Sequence, residues 1–337
     1  MSRDNSSQPE APLPAIDTVA APAPGGPLAQ YVGHQKSLGR TAVLGADETQ
    51  AWVPHERGQL QRLPLERTDP PDPAEIRRLL RLRGVWLVSY LVEGSEAHRP
   101  NCFDYVCRGP EYVLEHLPPN ARRDVRRGLR QFAIRLCTWD ELAEKGFAAH
   151  ADTVARHGDA PPPADAIQNY VNAHKGTPFY DIWGAWDGEE LAAWMTLYRI
   201  EDWAMIDLAR SRTSALKGCP NNAILYAATH HYLVKERLAY VTYGLSTVQV
   251  NVDEVAMHRY KTRMGYEAIP LRRVFEVPAA IRPLLASRPA SWGWERLAGL
   301  RPQSAILRKV AGMSRLLSDR QADPLAWANP RERTGDD

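Results

Sequence analysis

Residues 204–266 decide the fold, and they read AMIDLARSRTSALKGCPNNAILYAATHHYLVKERLAYVTYGLSTVQVNVDEVAMHRYKTRMGY. Alternating apolar residues predict strands over Ala204–Arg210 and Tyr240–Ser246, and helical spacing predicts helices over Asn221–Ala239 and Asp253–Met264. This order of strand, helix, strand and helix is typical of an α/β fold. The start of the first helix can offer backbone N–H groups to an anion. We expect functional residues between that point and the glycine that ends the second helix.

The composition indicates a soluble globular protein. The 337 residues are enough for two compact lobes or one large domain. The net charge of +2 argues neither for nor against a polyanionic partner. No run approaches the roughly 18 apolar residues of a membrane span, and the start of the chain lacks the pattern of a secretory signal. The four cysteines lack the paired spacing of a metal site. We therefore predict a reduced, cytoplasmic protein without a metal.

Changes in composition divide the chain into five segments. Residues 1–33 are rich in Pro, Ala, Ser and Gly, which predicts a disordered tail. Residues 34–130 are expected to form an abbreviated first lobe that ends in an arginine-rich link, and residues 131–278 a second lobe. Residues 279–322 are expected to form a helical extension, followed by a second disordered tail over residues 323–337.

Both lobes are predicted to contain strands and helices. The first lobe has predicted strands in Trp52–Leu65, Val85–Glu93 and Cys102–Arg108, and a helix over Pro73–Arg83 that Asp72 can cap. In the second lobe, Asp187-Gly188 predicts a hairpin between Tyr180–Trp186 and Leu191–Ile200. These patterns again favour a mixed α/β architecture.

Three short motifs resemble one superfamily of enzymes. The link Leu117–Leu129 reads LPPNARRDVRRGL, Tyr260–Gly265 reads YKTRMG and Tyr243–Thr247 reads YGLST. Together with the order of elements, they resemble the Gcn5-related N-acetyltransferase (GNAT) superfamily and, within it, the FemAB/FemX-like branch, whose link has the form L…N.RR.IRR. The resemblance covers Trp52–Val277. It implies an α/β fold of two GNAT-like lobes in tandem, with mixed central sheets flanked by helices.

Two departures from the superfamily's motifs bear on the acyl donor. The loop that binds the pyrophosphate of acyl-CoA in this superfamily corresponds to Arg212–Asn222, which keeps one glycine. Tyr260 lies five residues before Gly265, whereas acetyltransferases place their tyrosine four before, where Lys261 stands here. The resemblance therefore implies either acyl-CoA or aminoacyl-tRNA as co-substrate, and the choice between them stays open.

Three residues are candidates for catalysis. Asp207 lies within a predicted strand among apolar residues, so its carboxyl group can have a raised pKa and act as a general base. The alternative is an aspartate that faces water or pairs with an arginine. The resemblance implies that Tyr260 and Lys261 donate a proton to the leaving group or neutralise negative charge on the acyl centre or a phosphate. On an exposed helix, Lys261 would instead be a solvated charge.

Five residues are candidates for binding the co-substrate. Lys217, Gly218, Asn221 and Asn222 surround the start of the predicted helix, where backbone N–H groups can hold a phosphate. The alternative is that Asn221 or Asn222 only caps this helix. The resemblance adds Ser246, at the end of the second strand, to the same cleft between the lobes.

Arg123, Arg126 and Arg127 are candidates for substrate binding. They belong to the densest cationic cluster of the chain, and arginine binds phosphate groups through paired hydrogen bonds. The alternative is a solvated helix face paired with Asp124 and Glu115. The pattern leaves tRNA open as a partner and gives no indication of DNA binding.

The function that the resemblance implies is acyl transfer from acyl-CoA or aminoacyl-tRNA to the amine of a small molecule or peptide, by direct attack. A close rival is a tRNA-dependent aminoacyltransferase that forms a peptide bond on a cell-wall precursor or a peptide natural product. A third hypothesis is a binding protein on a decayed GNAT fold. The predicted helix Ser304–Leu317 is basic and amphipathic; we expect it to pack on its own domain, with peripheral membrane contact as the alternative.

Overall fold

The computed structural model describes residues 25–95, 99–248 and 253–318. The strands of the described chain are β1 (Val43–Leu44), β2 (Ala51–Glu56), β3 (Gln59–Leu63), β4 (Leu87–Glu93), β5 (Cys102–Arg108), β6 (Ala133–Leu136), β7 (Tyr180–Asp187), β8 (Glu190–Ile200), β9 (Trp203–Ser211), β10 (Tyr240–Leu245) and β11 (Glu267–Glu276). The α-helices are α1 (Pro27–Ser37), α2 (Pro73–Leu79), α3 (Pro119–Gln131), α4 (Trp139–Lys145), α5 (Phe147–Arg156), α6 (Ala166–His174), α7 (Pro220–His230), α8 (Glu254–Arg263), α9 (Arg282–Ala286), α10 (Arg288–Leu300) and α11 (Ala305–Leu317).

All of these strands form one continuous mixed sheet, in the order β1-β2-β3-β4-β11-β5-β10-β9-β8-β7-β6. Helices cover both faces, which confirms the predicted α/β class. The two predicted lobes share this sheet: β5, from the first lobe, lies between β10 and β11 of the second, and β11 also pairs with β4. The lobes are therefore interlocked by exchanged strands, and the boundary after residue 130 marks a point in the sequence only.

Helix α1 corrects the predicted extent of the N-terminal tail. It begins at Pro27, inside the segment predicted to be disordered, and Leu28, Tyr31 and Val32 are buried. The Tyr31 ring stacks on that of Tyr198 at 5.2 Å between centroids. The apolar residues of α1 recur at helical spacing, so their burial offsets the entropy cost of ordering this segment. The overall composition of the segment does not reveal this spacing. Residues 1–24 of the predicted tail lie outside the described residues.

The long helix predicted over Asn221–Ala239 is shorter than expected. Helix α7 ends at His230 and continues only as a π-turn over His231–Lys235. Arg237 then adopts a left-handed backbone with φ of 60°, and the Ala239 N–H donates to the Asp202 carbonyl at 2.7 Å. The chain leaves the helix early because these contacts direct it into β10.

The C-terminal extension packs on the sheet through its last helix. Met313 and Leu316 of α11 are buried against Phe275 of β11, as expected for a helix that packs on its own domain. The predicted second tail lies outside the described residues. No helix in the described ranges is both long and apolar enough to cross a membrane.

Candidate active site where two parallel strands diverge

Strands β9 and β10 pair at their first residues and then separate. Their parallel pairing joins Trp203 to Tyr240 and ends at Met205 and Thr242. Beyond that point β9 continues on β8, and β10 continues on β5. Gly244 has φ of +71° in an irregular part of β10, and a Cβ there would lie 3.1 Å from Met205 Cε. The divergence opens a gap inside the sheet, where main-chain groups of β9 and β10 no longer pair with each other and the Gly244 N–H donates to Thr242 Oγ1 instead.

Asp207 lies at a β-bulge on the β9 side of this gap. Thr196 of β8 is opposite Leu208, and Leu197 is opposite Ile206, so Asp207 is the extra residue between the two pairs. The Tyr170 hydroxyl donates to the Asp207 carboxylate at 2.8 Å and lies 3.0 Å from Thr196 Oγ1. Bulges redirect side chains and are common beside active sites. The bulge explains why a carboxylate points from the middle of a central strand into a polar site.

The surroundings of Asp207 favour its protonated form. The Asp207 side chain is open to the cleft, but the surrounding protein withdraws its carboxylate from bulk water, and this desolvation raises its pKa. The hydrogen bond from Tyr170 and the charge of Arg210 oppose this rise only in part. A carboxylate with a raised pKa accepts a proton more readily at neutral pH. A role of Asp207 as general base stays a prediction, which the direction of this pKa shift favours.

Sequence reasoning missed several groups around Asp207. Tyr31, Tyr180 and Tyr198 pack together beside it, and the charge of Asp207 contributes to the raised pKa of each hydroxyl after burial. Arg210 donates from Nε to His150 Nδ1 at 3.1 Å, and burial lowers its pKa. The helical spacing of the apolar residues in α1 could have revealed Tyr31, whereas no motif identified the others.

Lys261 is a buried cation on the β10 side of the gap. It is 5% exposed, and its Nζ lies 4.1 Å from the centre of the Tyr105 ring and 4.5 Å from that of Tyr243. It also lies 3.5 Å from the Tyr243 carbonyl oxygen. Burial lowers the pKa of Lys261 to about 7, although the charge of Asp104 opposes this shift. The alternative of a solvated lysine is wrong, because water scarcely reaches the side chain.

Tyr260 is half-buried next to Lys261. Its ring meets that of Tyr243 edge to face at 6.3 Å, and burial raises its pKa well above 10.0. No hydrogen bond of its hydroxyl is formed within the described part of the chain. Tyr260 is therefore protonated and able to donate a proton. The structure records no contact between Asp207 and this pair, but the charge of Arg210 acts on both Asp207 and Tyr243.

The start of α7 supplies backbone N–H groups without a side-chain cap. A 3₁₀ turn over Thr213–Gly218 precedes it, and its N-cap residue Cys219 is left-handed with φ of 62° and makes no capping bond. The Asn221 amide donates to Ser211 Oγ at 3.2 Å, and the Asn222 amide donates to Met264 Sδ at 3.4 Å. Neither asparagine caps the helix, which removes the alternative offered for them.

The single glycine of this loop has a packing role. A Cβ on Gly218 would lie 2.4 Å from Gln131 Oε1 and 2.6 Å from the Phe132 ring, at the end of α3. Lys217 is exposed, and its carbonyl accepts a hydrogen bond from Arg127 Nη1 at 3.2 Å. The predicted phosphate loop and the arginine-rich helix are therefore adjacent in space.

The three predicted substrate-binding arginines divide between two sides of α3. Arg127 lies beside the start of α7. Arg123 forms an ion pair with Asp124 at 2.9 Å, and Asp124 also binds Arg263 at 3.1 Å. Arg126 faces another side, 3.7 Å from Glu115. Arg127 thus adds positive charge near the helix start, whereas Arg123 and Arg126 form the ion pairs with Asp124 and Glu115 that the alternative of a solvated helix face predicted.

Ser246 occupies a different part of the cleft from the start of α7. Its Oγ accepts the Phe103 N–H at 3.1 Å and its own N–H donates to the Phe103 carbonyl, which fixes the end of β10 to β5. It lines a cavity of about 610 Å³ together with Met205 and Leu245. This cavity, called the interlobe cavity below, lies between β3, β4, β11 and α11 and reaches the divergence of β9 and β10.

Comparisons with known proteins give matches only at the level of structure. No protein-family model matches the chain, and no curated protein sequence does. The solved structure of FemX is similar over 76% of this chain and 92% of its own, with a TM-score of 0.50 and 9% identity. The structure of L-PGS from Bacillus licheniformis is similar over 77% of this chain and 93% of its own, with a TM-score of 0.47 and 12% identity. The structure of a GCN5-related N-acetyltransferase from Kribbella flavida is similar over 74% of this chain and 95% of its own chain, with a TM-score of 0.38 and 14% identity.

The likeness to FemX concerns the fold. At this identity, structural similarity carries no information about substrates. The chain has a FemX-like fold, as the three sequence motifs predicted.

Proposed function

We propose that the protein is an N-acyltransferase that moves an acyl group from an activated donor to an amine by direct attack. The observation that carries the proposal is the divergence of β9 and β10, with the Asp207 carboxylate on one side and Tyr260 and Lys261 on the other. Acyl transfer to an amine needs a proton acceptor, a stabilised oxyanion and a proton donor. The gap brings candidates for all three to one region of the fold.

The proposed reaction requires no covalent intermediate with the protein. The amine nitrogen forms a bond to the acyl carbonyl carbon, and Asp207 accepts the proton that the nitrogen loses. Main-chain N–H groups of β9 beyond Met205, which no longer pair with β10, stabilise the carbonyl oxygen as it gains negative charge. The bond to the leaving sulfur or oxygen then breaks, and Tyr260 gives that atom a proton. Proton transfer from Asp207 to Tyr260, directly or through water, restores both groups.

Lys261 is proposed to stabilise negative charge beside the reacting acyl group, in addition to the main-chain N–H groups. Because its pKa is about 7, both protonation states are populated at neutral pH. In its charged form, it favours negative charge that develops near Tyr243 and Tyr105. Its burial makes this interaction stronger than it would be in water.

The donor is proposed to place phosphate groups at the start of α7. Two uncapped N–H groups, Lys217 and Arg127 meet there, and Arg123 lies one helical turn from Arg127. Acyl-CoA and aminoacyl-tRNA both carry phosphate groups, in acyl-CoA at the far end of the pantetheine arm and in aminoacyl-tRNA along the backbone that leads to the acylated ribose. This shared chemistry fits the site, and the choice of donor is left to experiment.

A binding and activity experiment tests the proposal. Thermal-shift titrations with acetyl-CoA, longer acyl-CoAs and charged tRNA identify the donor, because a ligand of the folded state raises its Tm. With the donor that binds, Asp207→Asn is expected to lower kcat roughly 10²- to 10⁴-fold, the usual contribution of a general base. Asp202→Asn, in the exposed turn before β9, is the matched control and should keep wild-type kcat.

Two outcomes contradict the acyltransferase proposal. Equal activity of Asp207→Asn and Asp202→Asn refutes the role of Asp207. No shift with any donor, together with unchanged partner binding by an Asp207→Ala/Tyr260→Phe double variant, favours instead a binding protein on this fold.

A further inference from the structure

The interlobe cavity contains a buried cation that forms no ion pair with the residues that the structure describes. Arg273, in the middle of β11, lines the cavity and is 5% exposed. Its Nη2 donates to Gln61 Oε1 at 3.1 Å, but its Nε is buried without a hydrogen-bond partner. No acidic side chain of the described chain forms an ion pair with it. A buried guanidinium in this state is costly, so the site is incomplete without an anion.

The hydrogen bonds around Arg273 leave no acceptor for its free N–H. Gln61 Oε1 also accepts a hydrogen bond from Ser89 Oγ at 2.7 Å, and Ser89 Oγ accepts one from Gln59 Nε2 at 2.9 Å. All four side chains are buried. Because this network holds Gln61 and Ser89 in place, it also fixes the guanidinium in the cavity wall.

The charges at the cavity wall add to the positive potential of Arg273. Glu56 is an acidic lining residue, and it forms an ion pair with Lys309 of α11. His55 also lines the cavity, and its pKa is lowered well below 6.5 by burial first and then by the charges of Arg273 and Lys309. The net local charge therefore favours a bound anion.

The rest of the cavity wall is largely apolar. Leu87, Phe275 and Met313 lie beside Arg273 and α11, while Met205 and Leu245 lie at the divergence of β9 and β10. The volume of about 610 Å³ is typical of small-molecule sites. A molecule that fits this wall has an anionic group at one end and an apolar body that extends towards the candidate active site.

We propose that the interlobe cavity binds the acceptor, and that this acceptor is an amine with an apolar body and a single carboxylate that binds Arg273. The inference rests on the acyl transfer proposed above, because it places the amine end at the divergence of β9 and β10. A carboxylate matches the guanidinium in charge and in planar shape. A phosphate monoester would bring a second negative charge. Of the two other cations that line the cavity, Lys309 is already paired with Glu56 and Arg57 is exposed to solvent.

Isothermal titration calorimetry of the intact protein tests this inference without any donor. The probes are decanoate, decanol and decyl phosphate, which share an apolar chain and differ in the head group. Wild-type protein is expected to bind decanoate more tightly than either of the others. Arg273→Gln should weaken decanoate binding roughly 10- to 100-fold, the loss expected for a hydrogen bond to a charged group, and should leave decanol binding nearly unchanged.

Two further variants keep the test decisive. Arg272→Gln is the matched control, because Arg272 is the adjacent residue of β11 and faces the other side of the sheet; it should bind decanoate like the wild type. Arg273→Lys keeps the positive charge and should retain the preference for decanoate over decanol. Thermal unfolding of each variant shows that it is folded.

The outcomes separate this inference from the proposed function. Equal binding of decanoate and decanol, tighter binding of decyl phosphate, or decanoate binding by Arg273→Gln at wild-type affinity would each overturn the assignment of a carboxylate site. None of these results depends on turnover. Conversely, selective decanoate binding by a protein with no transferase activity would support the cavity as a carboxylate site and refute the proposed reaction only.

Discussion

The burial of Lys261 predicts how the stability of the protein changes with pH. The pKa of Lys261 is about 7 in the folded protein and 10.5 when exposed in the unfolded chain, so the unfolded chain binds more protons between these values. The free energy of unfolding therefore rises with pH in this window, because less work is needed to leave the buried amine uncharged. Linkage gives a rise of roughly 2 kcal/mol between pH 7 and pH 9, or about 1 kcal/mol with a folded pKa one unit higher.

Urea unfolding of the wild type and Lys261→Met at pH 7 and pH 9 measures this effect. The wild type should gain about 1–2 kcal/mol more than the variant between the two pH values. At pH 7, Lys261→Met should be at least as stable as the wild type, since it removes a buried charge and keeps the side-chain volume. Lys235→Met, at an exposed lysine, is the control and should keep the wild-type pH dependence. Equal pH dependence in the wild type and Lys261→Met would refute the perturbed pKa and the electrostatic role built on it.

Three other predictions concern the remaining parts of the site. Arg273→Met should raise the free energy of unfolding by about 1–3 kcal/mol in chemical denaturation, because burial lowers the pKa of Arg273 to about 10. Arg272→Met is the control and should show no such gain. Gly128→Ala should lower the free energy of unfolding by about 1–3 kcal/mol and raise the KM of the donor. The reason is that a Cβ at Gly128 would lie 2.6 Å from both Ala223 Cβ and the Cys219 carbonyl at the start of α7. An unchanged Tm and KM would contradict this prediction. Lys217→Glu should raise the KM of the donor with kcat unchanged, more strongly at low salt, and steady-state kinetics at two salt concentrations would expose a loop that binds no phosphate.

Local patterns in the sequence were sufficient to predict most of the strands and helices. The strand Cys102–Arg108 and the Asp72 cap of α2 agree with the structure, because alternation and capping depend on neighbouring residues. The exchange of β5 and β11 between the lobes could not be predicted in this way, since it joins residues more than 160 positions apart, such as Cys102 and Leu271. Helix α1 was hidden by a composition rich in proline and alanine, although Leu28, Tyr31 and Val32 have the spacing of a buried face.

The candidate site was predictable where a motif named the residue. Lys261 was proposed from a motif and Asp207 from its place in a predicted strand, but neither the aromatic rings around Lys261 nor the bulge at Asp207 has a local sequence signal. The arginine of the interlobe cavity was missed for a similar reason. Arg273 stands beside Arg272 in a strand, and only the three-dimensional structure shows that one lies against a cavity and the other on the opposite face.

Lys261 and Arg273 share a property that stability alone does not explain. Each is a cation that is 5% exposed, and neither forms an ion pair within the described residues. Well-packed apolar residues at both positions would give a more stable fold, because the nearby charges of Asp104 and Glu56 compensate the buried charges of Lys261 and Arg273 only in part, and such a buried charge costs several kcal/mol. One of these cations borders the gap where β9 and β10 separate, and the other lies in the cavity that reaches the same gap. Unfavourable charges placed around one opening indicate that the opening receives negative charge during function, from the reacting acyl group at Lys261 and from the acceptor at Arg273.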